Sequence, residues 1–134
     1  MVQAGNVDVA PYIGAATRAL VAEDDIFIRM DVAEILRHQG WEVIETGTAD
    51  DAISVLARDP HFQLLLTDVH MPGVHNGLDL AKYVKERHPH IKIAVMSGQH
   101  LPTADERKLY DLFLSKPFTD LLHDLLPLMS REHD

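Results

Sequence analysis

Short apolar runs alternate with amphipathic segments along this chain, and four of the runs stop abruptly at a polar signal. Ala19-Leu20-Val21-Ala22 stops at Glu23-Asp24-Asp25, and Phe62-Gln63-Leu64-Leu65-Leu66-Thr67 at Asp68. Ile91-Lys92-Ile93-Ala94-Val95-Met96 stops at Ser97, and Leu112-Phe113-Leu114-Ser115 at Lys116-Pro117. With a further run at Trp41–Glu45, five strands separated by helical segments imply right-handed crossovers and a parallel, doubly wound α/β sheet. In such a sheet the C-terminal strand ends line one crevice, and ligands bind there. Carboxylates, one hydroxyl and one ammonium therefore converge on one edge. Clustered carboxylates repel each other and call for a cation, and hard oxygen ligands suit Mg²⁺. The remaining hydroxyl and ammonium are the groups a phosphoryl needs. The pattern implies a site for placing phosphate on an aspartate.

The intervening segments read as helices by their period. The first is predicted over about Ile26–Gln39, with Ile28, Val32, Ile35 and Leu36 on one face and Gly40 as its C-cap. Thr48-Ala49-Asp50-Asp51 has the form of a capping box opening a second helix, with Ala49, Ala52, Ile53 and Leu56 inward and Asp59-Pro60 as its stop. A third runs from about Leu78 to Arg87 and ends before His88-Pro89. Gly98–Asp111, which contains Pro102, is only weakly helical. Thr119 is predicted to cap a last helix with Leu121, Leu122, Leu125, Leu126 and Met129 inward, and Pro127, lacking an N–H, to kink or end it. Residues 1–18 show no sustained period and read as an N-terminal extension; 19–134 form the domain.

Composition narrows the functional classes. With 134 residues the chain is sized for one domain, and without cysteine it has neither a disulfide framework nor a thiolate zinc site, which fits a reducing, cytoplasmic setting. Twelve Lys and Arg against 21 Asp and Glu give a formal charge of −9, so direct binding to nucleic acid or anionic lipid is not expected. No apolar run approaches the roughly 20 residues of a membrane span. His70, His75 and His100 fall on loops near the crevice, but no HExxH pattern accompanies them, and they are expected to be solvated.

Val21-Ala22-Glu23-Asp24-Asp25, Leu66-Thr67-Asp68-Val69-His70-Met71-Pro72-Gly73, Val95-Met96-Ser97-Gly98 and Leu114-Ser115-Lys116-Pro117-Phe118 resemble the motifs of response-regulator receiver domains. The resemblance runs from about Leu20 to Met129. It implies the strand order 2-1-3-4-5, with Asp68 as phosphoacceptor and a Mg²⁺ site made by Glu23, Asp24, Asp68 and the backbone carbonyl of His70. Asp24 would ligate directly and Glu23 through water, while Asp25 is left as an acid at the helix start. Ser97 would donate to a phosphoryl oxygen, Gly98 would leave the phosphate open to attack, and Lys116 would pair with another phosphoryl oxygen. Pro117 is often cis in the family. Phe113 matches the aromatic that turns inward when the hydroxyl moves to the phosphate.

The implied function is a stand-alone regulator phosphorylated by a sensor histidine kinase or a histidine phosphotransfer protein. It would act on a downstream protein and dimerise in response to phosphate, with only self-directed phosphorylation and dephosphorylation chemistry. Two rivals are a Mg²⁺-dependent phosphohydrolase with an aspartyl-phosphate intermediate and an interaction module that does not use phosphate. The former usually has an acid two residues after its nucleophile, where this chain has His70. The chain also departs from the family. Met71–Gly77 is one residue longer than the commoner loop, and Ser97 and Lys116 stand only 19 positions apart. The segment 99–110 is accordingly expected to be the most mobile part of the domain.

Overall fold

A computed structural model describes residues 17–129. Five parallel strands, β1 (Arg18–Ala22), β2 (Glu42–Thr46), β3 (Leu64–Asp68), β4 (Lys92–Ser97) and β5 (Leu112–Ser115), form one sheet in the order β2-β1-β3-β4-β5. Four helices, α1 (Ile26–Arg37), α2 (Ala49–Arg58), α3 (Gly77–Arg87) and α4 (Leu121–Met129), cover its two faces. Side chains alternate across the sheet. Ala19, Val21, Leu64, Leu66, Ala94 and Met96 pack with Val32 and Leu36 of α1 and Leu121 and Leu125 of α4. Leu20, Leu65, Ile93 and Val95 face the other way, against Leu56 of α2 and Leu80 and Val84 of α3. β3 is buried throughout, as its unbroken apolar run requires of a strand covered on both faces.

The register sets the crevice. Ala22 pairs with Thr67, Asp68 with Met96, and Ser97 with Ser115, so the strand ends carrying the polar signals lie level. The strand order and all four α-helices agree with expectation, but several boundaries differ. Arg18 opens β1 opposite Glu42 and so belongs to the sheet rather than to an extension; residues 1–16 and 130–134 lie outside the described residues. α1 stops at Arg37, where two tight turns follow and Gly40, at φ 86°, lets the Trp41 N–H return to the Leu36 carbonyl.

The caps also correct the sequence reading. Thr48 Oγ1 accepts the Asp51 N–H, while the reciprocal box forms at Asn76 and Asp79, opening α3. Asp120, not Thr119, accepts the His123 N–H at the start of α4. Pro127 lies inside α4 without ending it; the bond it forgoes is to the carbonyl of His123, an exposed residue in the first turn of the helix. Between β4 and β5 the described chain forms only a 3-10 turn at Glu106–Leu109. Pro102 lacks a backbone donor and no residue of the turn is buried, so the segment has no apolar face to seat an α-helix on the sheet.

Candidate phosphoacceptor site

Asp68 closes β3 with its carboxylate at the sheet edge and 7% of its surface exposed. Its backbone is held from both sides. Thr67 Oγ1 donates to the Asp68 carbonyl at 3.0 Å, and the following Val69 N–H donates to the Met96 carbonyl at 2.9 Å. Gly77, the first residue of α3, packs directly on that peptide: a Cβ there would stand 1.6 Å from the Asp68 carbonyl oxygen. The sequence places Thr67 at the end of a strand and Gly77 at the end of a loop, and marks neither as a support. Their signal is only the pairing of a hydroxyl before the aspartate with a glycine closing the loop.

Glu23 and Asp24 leave β1 beside Asp68. The Glu23 N–H donates to the Thr46 carbonyl at 3.0 Å, its carbonyl accepts from Arg29 Nη1 at 3.0 Å, and its carboxylate accepts the Asp25 N–H at 3.0 Å. Arg29 thus fixes the acidic turn, a role not read from the sequence. Asp25 caps α1, accepting the N–H groups of Phe27 and Ile28, as the helix-start reading expects. Glu23 is buried, whereas Asp24 is exposed, leaving Asp24 the member of the pair open to a solvent-borne ion. Ligand oxygens of Glu23, Asp24 and Asp68 all lie within 4.8 Å of one another. His70 lines the same crevice as Asp24, with Met71, Pro72 and Asn76 forming the wall of a cavity of about 450 Å³.

Lys116 joins the cluster from the end of β5. Its Nζ donates to Glu23 Oε1 at 2.7 Å and lies 3.3 Å from Asp68 Oδ2. Burial alone would lower the lysine's pKa, but the Glu23 hydrogen bond and the Asp68 charge outweigh it and leave the pKa raised, so the ammonium stays charged at neutral pH. Burial also pushes the Glu23 carboxyl up, aided by the neighbouring Asp68 and opposed by Lys116 and the Asp25 N–H. The Lys116–Pro117 peptide is cis. Ser97 is buried across from Lys116, whose N–H donates to the Ser97 carbonyl at 3.0 Å. Its Oγ accepts the N–H groups of Gln99 at 3.2 Å and His100 at 2.9 Å. Gly98 is exposed, and a Cβ there would meet nothing closer than Lys116 Cβ at 3.8 Å. Phe113 is half-buried on β5, its ring centroid 6.2 Å from that of Tyr110.

Two of the loop histidines are not simply solvated. His75 Nδ1 lies 2.6 Å from Asp50 Oδ1, and His100 Nε2 lies 2.7 Å from Glu106 Oε1. Glu106 also exchanges hydrogen bonds with Thr103, and these contacts, the Thr103 N–H first and then His100, hold its carboxyl below the ordinary range. The segment between β4 and β5 is therefore tied by polar contacts where an apolar helix face is missing. The His70 and His100 rings meet edge-on at 5.4 Å. Among the described residues, the group suited to a metal is the carboxylate trio rather than a histidine cluster, and no helix is long and apolar enough to cross a membrane.

The family model of the response regulator receiver domain matches residues 19–125. The chain belongs to this family. It is 37% identical over 121 residues to the DNA-binding transcriptional regulator NtrC of Azospirillum brasilense, covering 87% of this chain and 24% of that protein. It is 34% identical over 113 residues to the transcriptional regulatory protein PdtaR of Mycobacterium tuberculosis, covering 82% of this chain and 53% of that one. The receiver thus spans about a quarter and about half of these relatives' lengths. The fold also matches the response regulator TrrA of Thermotoga maritima, solved in complex with Mg²⁺-BeF. The TM-score is 0.76 at 23% identity, over 84% of this chain and 98% of that one. The chain is a receiver domain of two-component response regulators, with the flavodoxin-like, CheY-like sheet order.

Proposed function

We propose that this receiver accepts a phosphoryl group on Asp68 from a phosphohistidine and thereby changes which protein it binds. The observation that carries the reading is the convergence of Asp68, Lys116 at 3.3 Å, and two further carboxylates at one sheet edge. An Asp68 oxygen forms the new P–O bond as the donor's P–N bond breaks, and the imidazole leaves with the electron pair. The donor is a sensor histidine kinase or a histidine phosphotransfer protein, acting in the cytoplasm; the response is engagement of a downstream protein or a phosphate-dependent dimer.

The residues fit Mg²⁺. Their ligand atoms are hard oxygens close enough together for one small ion, and the trio's mutual repulsion is only partly met by Lys116. Asp24, Asp68 and the His70 carbonyl would hold it, with Glu23 acting through water. When bound, Mg²⁺ supplies positive charge against the incoming phosphoryl. Lys116 supplies a second cation by turning from a carboxylate to a phosphoryl oxygen. The Ser97 hydroxyl now accepts two backbone N–H groups, so its own proton is available to donate. Drawing it to a phosphate loosens Gln99 and His100, and Phe113 takes up the space on the β5 side.

Asp68→Asn keeps the shape and removes the nucleophile, so labelling by a kinase or by acetyl phosphate should vanish; full labelling of the variant would overturn the assignment. Ser97→Ala should accept phosphate yet respond weakly in partner binding. One phosphate per chain, rather than continuous release of inorganic phosphate, separates a receiver from a phosphohydrolase.

A further inference from the structure

The longer loop after β3 is pinned at its two ends and at one point between them. Val69 and Met71 are buried in the core, and Gly77 is wedged against the Asp68 peptide. Residues 72–76 are all exposed. Within that exposed stretch, Asn76 bonds to Asp79 of the adjoining helix, which settles the start of α3 but not the path of the loop. The contact that reaches across to another element is His75 Nδ1 to Asp50 Oδ1 at 2.6 Å, linking the loop to the first turn of α2. Gly73 turns beside the same carboxylate, with φ 112° and its Cβ direction 3.5 Å from Asp50 Oδ2. The loop therefore folds around Asp50, while Met71, Pro72 and Asn76 wall the crevice that holds Asp24 and His70.

We propose that His75 is a positioning residue, an imidazole clamp that holds the wall of the phosphoacceptor crevice through Asp50 and slackens when the imidazole loses its proton. The proposal rests on the reading of Asp68 as phosphoacceptor for its effect on labelling, but the clamp itself does not. The charged groups facing His75 are Asp50 on α2 and Asp79 on α3, both acidic, and the hydrogen bond to Asp50 holds the His75 pKa above its ordinary value. The sign follows. A raised pKa means that the cationic pair is complete below the ordinary histidine value and is lost as pH rises through the raised one. Neutral imidazole leaves a weaker hydrogen bond. The clamp closes toward mildly acidic pH and loosens toward alkaline pH, a dependence produced by the added reach of this loop.

The test uses the full chain. Proton NMR should show His75 titrating at higher pH in wild type than in Asp50→Asn, with amide signals of residues 71–77 moving along the same curve. The rate of labelling by acetyl phosphate should be on the order of threefold higher for wild type than for His75→Ala at about pH 6.5, the ratio falling by about pH 8.5 to the smaller value that a neutral donor sustains. His75→Asn, which keeps a neutral donor near the Nδ1 position, should recover part of the rate with a pH-flat ratio to His75→Ala. Equal His75 titration in wild type and Asp50→Asn would overturn the clamp. A wild-type to His75→Ala ratio constant with pH would reduce the residue to a structural one and overturn the proposal equally. If wild type takes no label at all, the Asp68 reading fails, and the titration and amide shifts alone decide whether the clamp exists.

Discussion

Gly77→Ala should damage this domain more than any helix-propensity argument suggests. The new methyl would sit 1.6 Å from the Asp68 carbonyl oxygen, 2.7 Å from its carbonyl carbon and 3.1 Å from Thr67 Oγ1. Carbon–oxygen contacts close at about 3.3 Å, so α3 and the end of β3 must separate by roughly 1.7 Å. The two nearest atoms are both backbone, so no flexible side-chain end can move aside to relieve them. Separation breaks the Gly77 N–H bond to the Val69 carbonyl at 2.9 Å and strains the Thr67 bond to the Asp68 carbonyl at 3.0 Å. Overpacking of this kind costs about 1–3 kcal/mol, and a buried backbone group left without a partner about 1–3 more. Alanine's better helix propensity returns at most about 1 kcal/mol. The net expectation is a loss of roughly 3 kcal/mol, a large share of the 5–15 kcal/mol typical of a domain. Urea unfolding measures it, with Gly98→Ala as the control, since a Cβ there meets only an ordinary contact at 3.8 Å. A Gly77→Ala variant as stable as wild type would refute the argument that α3 is seated by backbone contact on the Asp68 peptide.

Three further predictions follow from the site. Lys116→Ala strands Glu23, 1% exposed, beside Asp68; because Lys116 is itself 17% exposed, the loss should be about 2–3 kcal/mol rather than the 3–5 of a sealed pair. That loss should shrink toward about pH 5, because burial pushes the Glu23 carboxyl above its ordinary 4.5 and the folded state then takes up a proton before the unfolded one; a loss that grew on acidification would contradict it. Mg²⁺ at ten times its dissociation constant should stabilise wild type by about 1.4 kcal/mol, an effect removed by chelator and much reduced in Asp24→Ala, and equal stabilisation of the two would reject the ligand assignment. Glu106→Ala deletes the acceptor of His100 and Thr103, so amide exchange across 99–110 should accelerate about tenfold while β4 stays protected, and unchanged exchange would show that these polar ties do not hold the segment.

Period and punctuation are local properties, and they carried the architecture. Strand residues such as Leu64, Leu65 and Leu66 announce a sheet covered on both faces, and the polar stops at Glu23, Asp68, Ser97 and Lys116 announce its working edge. These stops named the candidate residues that the fold brings to one edge, and the family resemblance supplied the strand order. Boundary errors arose where neighbouring signals compete. Thr119 and Asp120 can both cap a helix, and only the observed helix start selects Asp120. Pro127 reads as a breaker, yet its place on the exposed side of the last turn makes the forgone bond cheap.

What tertiary structure decided is everything that depends on two distant segments meeting. Gly77 matters because α3 lands on the Asp68 peptide, a contact that a glycine at a loop's end does not disclose in the sequence. Arg29 steadies the acidic turn only because α1 folds back toward Glu23 and Glu45. His75 acquires Asp50, and His100 acquires Glu106, through loop paths that periodicity does not encode. Composition and spacing determined which groups reach the crevice, because strand direction alone delivers them there; the distances that give each group a partner belong to the packed fold, since they depend on how helices and loops close over the sheet.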